Sequence, residues 1–218
     1  PSSFEALIGQ DAMVAVLRNA FARDRVAHAF LLTGVRGVGK TTTARILARG
    51  FNCVGPSGAG GPTVEPCGVC PPCVAIAEGR DTDVMEIDAA SHTGVDFIRD
   101  LNEIARTRPN GRFKVFILDE VHMLSTAAFN ALLKTLEEPP GHVKFVFATT
   151  EIAKVPATVR SRCQRFDLRR IEPERMIAYL REVAEAEGPR AEDGALALLT
   201  RAAEGSVRDA LSLLDQAL

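Results

Sequence analysis

The segment Gly34-Val35-Arg36-Gly37-Val38-Gly39-Lys40-Thr41, with Thr42 behind it, holds the residue types that a phosphate cradle needs. It fits the pattern G-x-x-x-x-G-K-[ST] and stands between an apolar run, Ala29-Phe30-Leu31-Leu32, and a helical stretch from Thr42 to Arg49. Glycines let backbone N–H groups turn inward toward phosphate oxygens. A helix that begins there adds the positive end of its dipole. In such a loop Lys40 reaches the β- and γ-phosphates, and the Thr41 hydroxyl can ligate Mg²⁺. The alternative is a glycine-rich turn that binds nothing, and the agreement of spacing with context speaks against it.

A second element completes the chemistry. Lys114-Val115-Phe116-Ile117-Leu118 reads as a buried strand that runs into Asp119-Glu120. Asp119 can hold the Mg²⁺ shell, and Glu120 can polarise an attacking water. Two acids at a strand end are common, so the pair gains its meaning from the phosphate loop. Glu120 also points to turnover, since a pure binder has no need of a base there.

Four of the five cysteines form another group. Cys67-Gly68-Val69-Cys70-Pro71-Pro72-Cys73 contains two successive C-x-x-C steps, which put three thiols on one tight turn, and Cys53 could supply a fourth. Four thiolates suit a closed, structural Zn²⁺ site with no open position for catalysis. A redox C-x-x-C would not need the third and fourth cysteines, and free thiols would be oxidisable. No basic–aromatic interleaving surrounds Cys67–Cys73, which argues against a DNA-binding zinc module. Between Cys53 and this cluster, Val54–Pro66 is rich in Gly, Pro and Ser and reads as a surface loop.

Elements that alternate between strand and helix must position these groups. Strand-like runs fall at Ala29–Thr33, Asp83–Asp88, Phe113–Leu118, Val143–Ala148 and Arg165–Leu168. Helical patterns lie at Ala12–Phe21, Thr41–Gly50, Val95–Ile104 and Thr126–Leu136. This alternation predicts an α/β fold with a parallel, doubly wound sheet. Val115–Leu118 and Phe145–Ala148 are almost wholly apolar, as strands covered on both faces should be. The pattern changes near Arg169–Pro173. Downstream only helical signals remain, at Glu174–Glu187, Asp193–Glu204 and Val207–Leu218, with Gly188-Pro189 and Gly205 as punctuation. Ala195, Leu198, Leu199 and Ala202 recur at helical spacing, as do Ala210, Leu211, Leu214 and Ala217. The reading is a small three-helix module.

Composition sets wider limits. The 218 residues are 46% apolar and 25% charged, which fits a globular protein with a sizeable core. The formal net charge of −2 makes no global electrostatic case for nucleic acid, so any such binding needs a local patch. No apolar run reaches the roughly 18–20 residues of a membrane span. The cysteine usage fits a reducing compartment. No secretory signal is evident, and the abrupt opening at Pro1 reads as a piece of a longer protein.

The motifs together resemble the gamma/tau family of bacterial DNA polymerase III clamp-loader subunits, over essentially the whole chain. The resemblance rests on Ile8-Gly9-Gln10, His28-Ala29-Phe30-Leu31, the phosphate loop, the inserted cysteines, Leu118-Asp119-Glu120-Val121-His122-Met123-Leu124, Asn130 to Pro140, Ser161-Arg162-Cys163 and Gly205 to Ala210. It implies an AAA+ nucleotide-binding domain over 1–168, with a zinc module at about 53–73, and a helical lid over 169–218. A further, collar-forming domain of the family is not included, so this fragment is expected to be monomeric or weakly associating. The implied cofactors are ATP, Mg²⁺ and Zn²⁺. The implied partners are the other clamp-loader subunits, the sliding clamp and primer–template DNA, in the cytoplasm at the replisome, with no membrane.

The resemblance also implies roles that position alone does not give. Thr150 matches a sensor of the γ-phosphate. Arg208 matches the lid arginine that touches nucleotide from the second domain. Arg162 matches an arginine finger that acts in trans on a neighbour's ATP. Ile8, Gly9 and Gln10 match the segment near the adenine. Arg99 and Lys134 match positions on helices that face DNA through its phosphates. His92 and Gly94 depart from the pattern, standing where some relatives carry basic residues. Without the resemblance, Arg162 would read as a solvated loop residue, Arg208 as a surface ion pair and Thr150 as a buried strand-end hydroxyl. Cys163 reads as a buried thiol without chemistry. The expected function is a clamp-loader ATPase. The rivals are another AAA+ DNA motor of the branch-migration type and a nucleotide-gated scaffold without essential turnover.

Overall fold

In the computed structural model, residues 3–188 and 191–217 are described. The expectations placed on Pro1, Pro189 and Leu218 lie outside them. Five parallel strands form one sheet: β1 (Ala29–Thr33), β2 (Val84–Asp88), β3 (Lys114–Asp119), β4 (Val143–Thr149) and β5 (Gln164–Asp167), in the spatial order β2-β3-β4-β1-β5. The three central strands are the most apolar ones. β1 and β4 are buried along their whole length, and β3 up to Asp119, while the edge strands β2 and β5 expose alternate residues. Successive side chains of β1 go to opposite faces: Leu31 joins one core cluster, and Phe30 and Leu32 join the other. Both faces are apolar, so this two-residue period is hidden in the sequence.

One face carries α4 (Val95–Arg106) and α5 (Thr126–Glu137), whose Ile98, Leu101, Ala128 and Leu132 pack on Phe116, Phe145 and Phe147. The opposite face carries α1 (Asp11–Ala22) and α2 (Lys40–Asn52), whose Leu17, Ile46, Leu47 and Phe51 pack on Phe30, Leu32 and Ile117. Burying each of these large side chains contributes about 1.5–3 kcal/mol, which sets the sheet and its helices as one rigid frame. Ser125 caps α5 by accepting a hydrogen bond from the Ala128 N–H. All strands run parallel, so β1, β3 and β4 end on the same edge. That edge receives the phosphate loop, Asp119-Glu120 and Thr149-Thr150.

Two expectations about local structure need correction. The cysteine segment is not one tight turn: α3 (Pro71–Ala77) begins inside it and carries Cys73. Pro71 and Pro72 occupy the first positions of that helix, where a missing N–H costs nothing. α6 (Ala157–Arg160) and short 3-10 helices at Val121–Met123 and Ile152–Lys154 are further elements that the apolar pattern did not signal.

The C-terminal module is formed by α7 (Pro173–Glu187), α8 (Asp193–Ala203) and α9 (Val207–Ala217) around Ile171, Met176, Leu180, Leu196, Ala203, Ala210 and Leu214. On α8 the buried side is Leu196, Thr200 and Ala203. Of the stripe expected from Ala195, Leu198, Leu199 and Ala202, Leu199 packs against this core, while Ala195, Leu198 and Ala202 face outward, with Leu198 61% exposed. The physical reason is the company α8 keeps: its packing side is set by α7 and α9, and its own alanines and leucines are compatible with either choice. The connection to the sheet is fixed by backbone, through Ile171 N–H donating to Gly205 O at 3.1 Å.

Candidate nucleotide site and cysteine cluster

The phosphate loop leaves β1 at Gly34 and enters α2 at Lys40. Its glycines are demanded by geometry at two points. Gly34 has φ +147°, and a Cβ there would stand 2.7 Å from the Leu168 carbonyl oxygen. Gly37 has φ +79°, and a Cβ would stand 2.0 Å from Ser206 Oγ at the start of α9. Lys40 is buried, and its Nζ donates to the carbonyls of Gly34 and Val35 at 2.9 Å each. Burial holds its pKa below the ordinary lysine value, against the opposing pull of Glu120 and Asp119.

Asp119, at the end of β3, joins the loop directly. Its Oδ2 accepts from Thr41 Oγ1 at 2.6 Å, and its Oδ1 accepts from the Glu120 N–H at 2.9 Å. A hydroxyl and a carboxylate so close are a fitting pair of ligands for Mg²⁺. Glu120 itself sits in the left-handed region, at φ 47° and ψ 44°. That conformation is costly for a residue with a Cβ and persists where surrounding contacts enforce it. Glu120 Oε2 accepts from Thr150 N–H at 3.3 Å and Thr150 Oγ1 at 3.0 Å, so the expected sensor and the expected base touch.

Lys40, Thr41, Asp119 and Glu120 line a cavity of about 880 Å³ whose walls come from both parts of the chain, and Thr150 is not among its lining residues. Arg36 to Thr42, Asp119 and Glu120 line it from the sheet domain. Leu7, Ile8, Tyr179, Val207 and Leu211 add apolar and aromatic lining, and Arg208 stands at the wall contributed by α9. The N–H of Val207 donates to the Gly37 carbonyl at 3.0 Å, and the Arg208 N–H points at the same oxygen at 3.4 Å. The C-terminal module therefore rests on the phosphate loop itself.

The other expected residues lie around this cavity or away from it. Ile8 lines it, but Gly9 and Gln10 are not among its lining residues. Gln10 is buried, and its amide donates to Arg169 O and accepts from Arg169 N–H, at 3.1 and 3.3 Å. It ties the N-terminal segment to the connection between sheet and helical module. Arg162 follows α6, where its guanidinium donates to Thr158 O and pairs with Glu137, both at 2.7 Å. Arg99 is exposed on α4 and pairs with Asp96 at 2.8 Å, and Lys134 is exposed on α5. Asn102 joins the two helices, donating to Ala131 O and accepting from Thr135 Oγ1. Cys163 packs against the sheet core, and burial pushes its thiol up to about 12, which leaves it inert.

The sulfurs of Cys53, Cys67, Cys70 and Cys73 all lie within 4.8 Å of one another, and Cys53, Cys70 and Cys73 are buried. Backbone N–H groups of Gly55 and Cys67 point at Cys53 Sγ, and that of Cys70 at Cys67 Sγ, each at 3.4 Å. The Val69 amide is the main influence that lowers the Cys67 thiol to about 7, while burial pushes the Cys73 thiol up. Four convergent sulfurs with amide donors behind them fit a tetrahedral Zn²⁺ site. Arg112 fastens the insertion to the sheet domain by donating to the carbonyls of Phe51, Cys53 and Gly60.

Residues 9–172 match the family model described as DNA polymerase III, delta subunit, and residues 175–218 match the model described as DNA polymerase III clamp loader subunit, ATPase lid domain. The chain belongs to the DNA polymerase III clamp-loader subunit family. It is 48% identical to the DNA polymerase III subunit tau of Bacillus subtilis (strain 168), covering 100% of this chain and 38% of that one. It is 50% identical to the subunit tau of Escherichia coli (strain K12), covering 100% of this chain and 33% of that one. This clamp-loader chain thus spans between about a third and two fifths of the length of these relatives. Among solved structures, the Thermotoga maritima RuvB Holliday junction branch migration motor matches with a TM-score of 0.69 at 19% identity, over 99% of this chain and 63% of that one. At that identity the likeness concerns the fold, an AAA+ sheet domain with a helical lid.

Several groups in the clamp-loader site had no assigned role in the sequence. Tyr179 and Leu211 reach the cavity from the lid, and Arg45 and Glu86 flank it as a bidentate pair at 2.7 Å. His122, whose side chain is 6% exposed, stands beside Glu120. Its place in Asp119-Glu120-Val121-His122 was the available signal, but its contacts come from a strand end distant in sequence.

Proposed function

We propose that this chain is the ATP-binding and ATP-hydrolysing part of a bacterial clamp-loader subunit, acting in the cytoplasm to place a sliding clamp on primed DNA. The observation that carries this reading is the convergence of Lys40, Thr41, Asp119 and Glu120 at one cavity that Arg208 of the lid also lines. Residues 1–168 act as the nucleotide-binding domain and 169–218 as the lid. When bound, Mg-ATP supplies the phosphoanhydride that is cleaved, and Zn²⁺ gives the insertion a rigid centre. Lys40 and the loop amides hold phosphate oxygens, Thr41 and Asp119 hold the metal shell, Glu120 orients a water, and Thr150 reads the reacting phosphate. Arg208 links the occupied cavity to the lid angle, which converts differential affinity into motion.

Arg162 acts in trans. Its exposed position, away from the cavity of its own chain, suits a group offered to a neighbour's nucleotide. Arg99 and Lys134 lie toward the DNA backbone and carry no sequence readout. The other loader subunits, the clamp and primer–template DNA are the partners. The test is steady-state ATP hydrolysis by the full-length parent assembled with its partner subunits, with and without clamp and primed DNA, beside Arg162→Ala. Strong stimulation that is lost in the variant is the expected result. A rate indifferent to clamp, DNA and Arg162 would overturn the loader mechanism.

A further inference from the structure

Glu120 is restrained by more than Thr150. His122 Nδ1 lies 3.3 Å from Glu120 Oε2 and 2.9 Å from Thr149 Oγ1, while Nε2 lies 3.4 Å from Glu151 Oε1. The imidazole is almost completely buried, and these are its side-chain polar contacts among the described residues. Glu151 is itself fixed from two sides: Lys154 pairs with its other oxygen at 2.8 Å, and its N–H donates to Thr149 Oγ1 at 3.0 Å. A carboxylate can only accept, so the nitrogen that holds Glu120 Oε2 must donate: Nδ1 carries the proton toward Glu120, and Nε2 carries one toward Glu151. The Thr149 hydroxyl oxygen, nearer to Nδ1, shares that proton.

The consequence for Glu120 is asymmetric. Thr150 N–H, Thr150 Oγ1 and His122 Nδ1 all converge on Oε2. Among the described residues no protein group hydrogen-bonds Oε1, and Glu120 lines the cavity. One oxygen is thus tethered to the protein and the other is left for a water in the cavity. The left-handed backbone at Glu120 is held in the same way, by Asp119 on its N–H and by the side-chain tether.

We propose that His122 is a positioning residue for Glu120: oriented by Glu151 through Nε2, it holds Oε2 so that Oε1 faces the reacting phosphate. This rests on the reading of Glu120 as the group that polarises water. His122 is not among the residues that line the cavity, so its loss acts on kcat and leaves ATP affinity in place.

Four variants in the full-length assembled parent test it: His122→Ala, His122→Asn, His122→Gln and Glu120→Gln. The amide of Asn reaches the position of Nδ1, and that of Gln the position of Nε2. The expected result is ATP affinity within about two-fold of wild type in all three His122 variants. Turnover falls roughly 10–100-fold in His122→Ala and His122→Gln, the scale of a misplaced catalytic group. Asn restores most of the rate. Turnover unchanged in every His122 variant would overturn the inference. So would equal loss in Asn and Gln together with a lowered melting temperature and weakened ATP binding, which would make the ring a packing element. A wild-type rate in Glu120→Gln would remove the underlying reading of Glu120, and the inference with it.

Discussion

The cavity wall and the outer charges of this chain are built on opposite principles. At the wall, Lys40, Thr41, Asp119 and Glu120 each have partners within the chain, and Lys40 lies in the buried interior. The charges expected to meet partners are loosely held. Arg162 has one carboxylate, Glu137, and Arg99 has one, Asp96, both in solvent-exposed pairs. Lys134 has no ion pair among the described residues. An exposed pair is worth about 0–1 kcal/mol, and truncating a buried, hydrogen-bonded charge costs about 2–5 kcal/mol. The difference divides the work: the wall is preorganised for nucleotide, while the outer arginines can be recruited by another molecule at little cost.

The comparison breaks most sharply at Lys40. Lys40→Ala should weaken ATP binding by at least about 100-fold, near 3 kcal/mol, and abolish turnover. Calorimetric titration of the variant checks this, and normal affinity would show that the wall is not the phosphate site. The cysteine cluster sharpens the same contrast, since its buried sulfurs have no partner ion of opposite charge without a metal. Chelation, or Cys73→Ser, should cost about 3 kcal/mol or more and lower the melting temperature by roughly 6–12 °C. Metal analysis of the purified protein and a thermal melt after chelation are the measurements. A melt unchanged by chelation would leave the cluster as four free thiols.

Gly37 joins wall and lid, so it tests whether they act together. A side chain there meets Ser206 Oγ and is strained by the positive φ. Gly37→Val should push α9 off the loop, remove the Val207 contact to the Gly37 carbonyl and lower ATP affinity by about ten-fold, on the order of 1–2 kcal/mol. Inorganic triphosphate, which lacks the base and ribose expected to meet the lid, should lose less than ATP. Equal losses would place the damage in the loop alone.

The sequence was most legible where one element decides the outcome. The apolar runs gave five strands, and the Gly-x-x-x-x-Gly-Lys-Thr spacing gave the loop, because backbone geometry leaves few alternatives. It was least legible where packing chooses between equivalent options. The buried stripe of α8 could not be told from its own alanines and leucines. α3 was hidden by the two C-x-x-C steps, which read as one turn although Pro71-Pro72 can start a helix. His122 lay in view beside Asp119-Glu120, but its meaning depends on Thr149 and Glu151, which parallel strand order brings alongside. Arg162, Arg99 and Lys134 owe their expected roles to family resemblance, because an exposed charge carries no local mark of the partner it awaits.

The smallest expected effects are at those outer charges on α4 and α5. Arg99→Ala and Lys134→Ala should leave ATP affinity and the thermal melt unchanged, since Arg99 loses only an exposed pair and Lys134 loses none. If each contacts a DNA phosphate in the assembled loader, its removal releases about one fewer counterion on binding. The slope of log K against log salt should then become shallower by roughly 1 per variant, with equal weakening across DNA sequences. Measuring primed-DNA affinity of the assembled loader at several salt concentrations separates this from a structural effect, which would shift affinity without changing the slope. An unchanged slope in both variants would return Arg99 and Lys134 to ordinary helix-surface charge. The contrast with the wall would then rest on Arg162, whose proposed partner is a second nucleotide site rather than DNA.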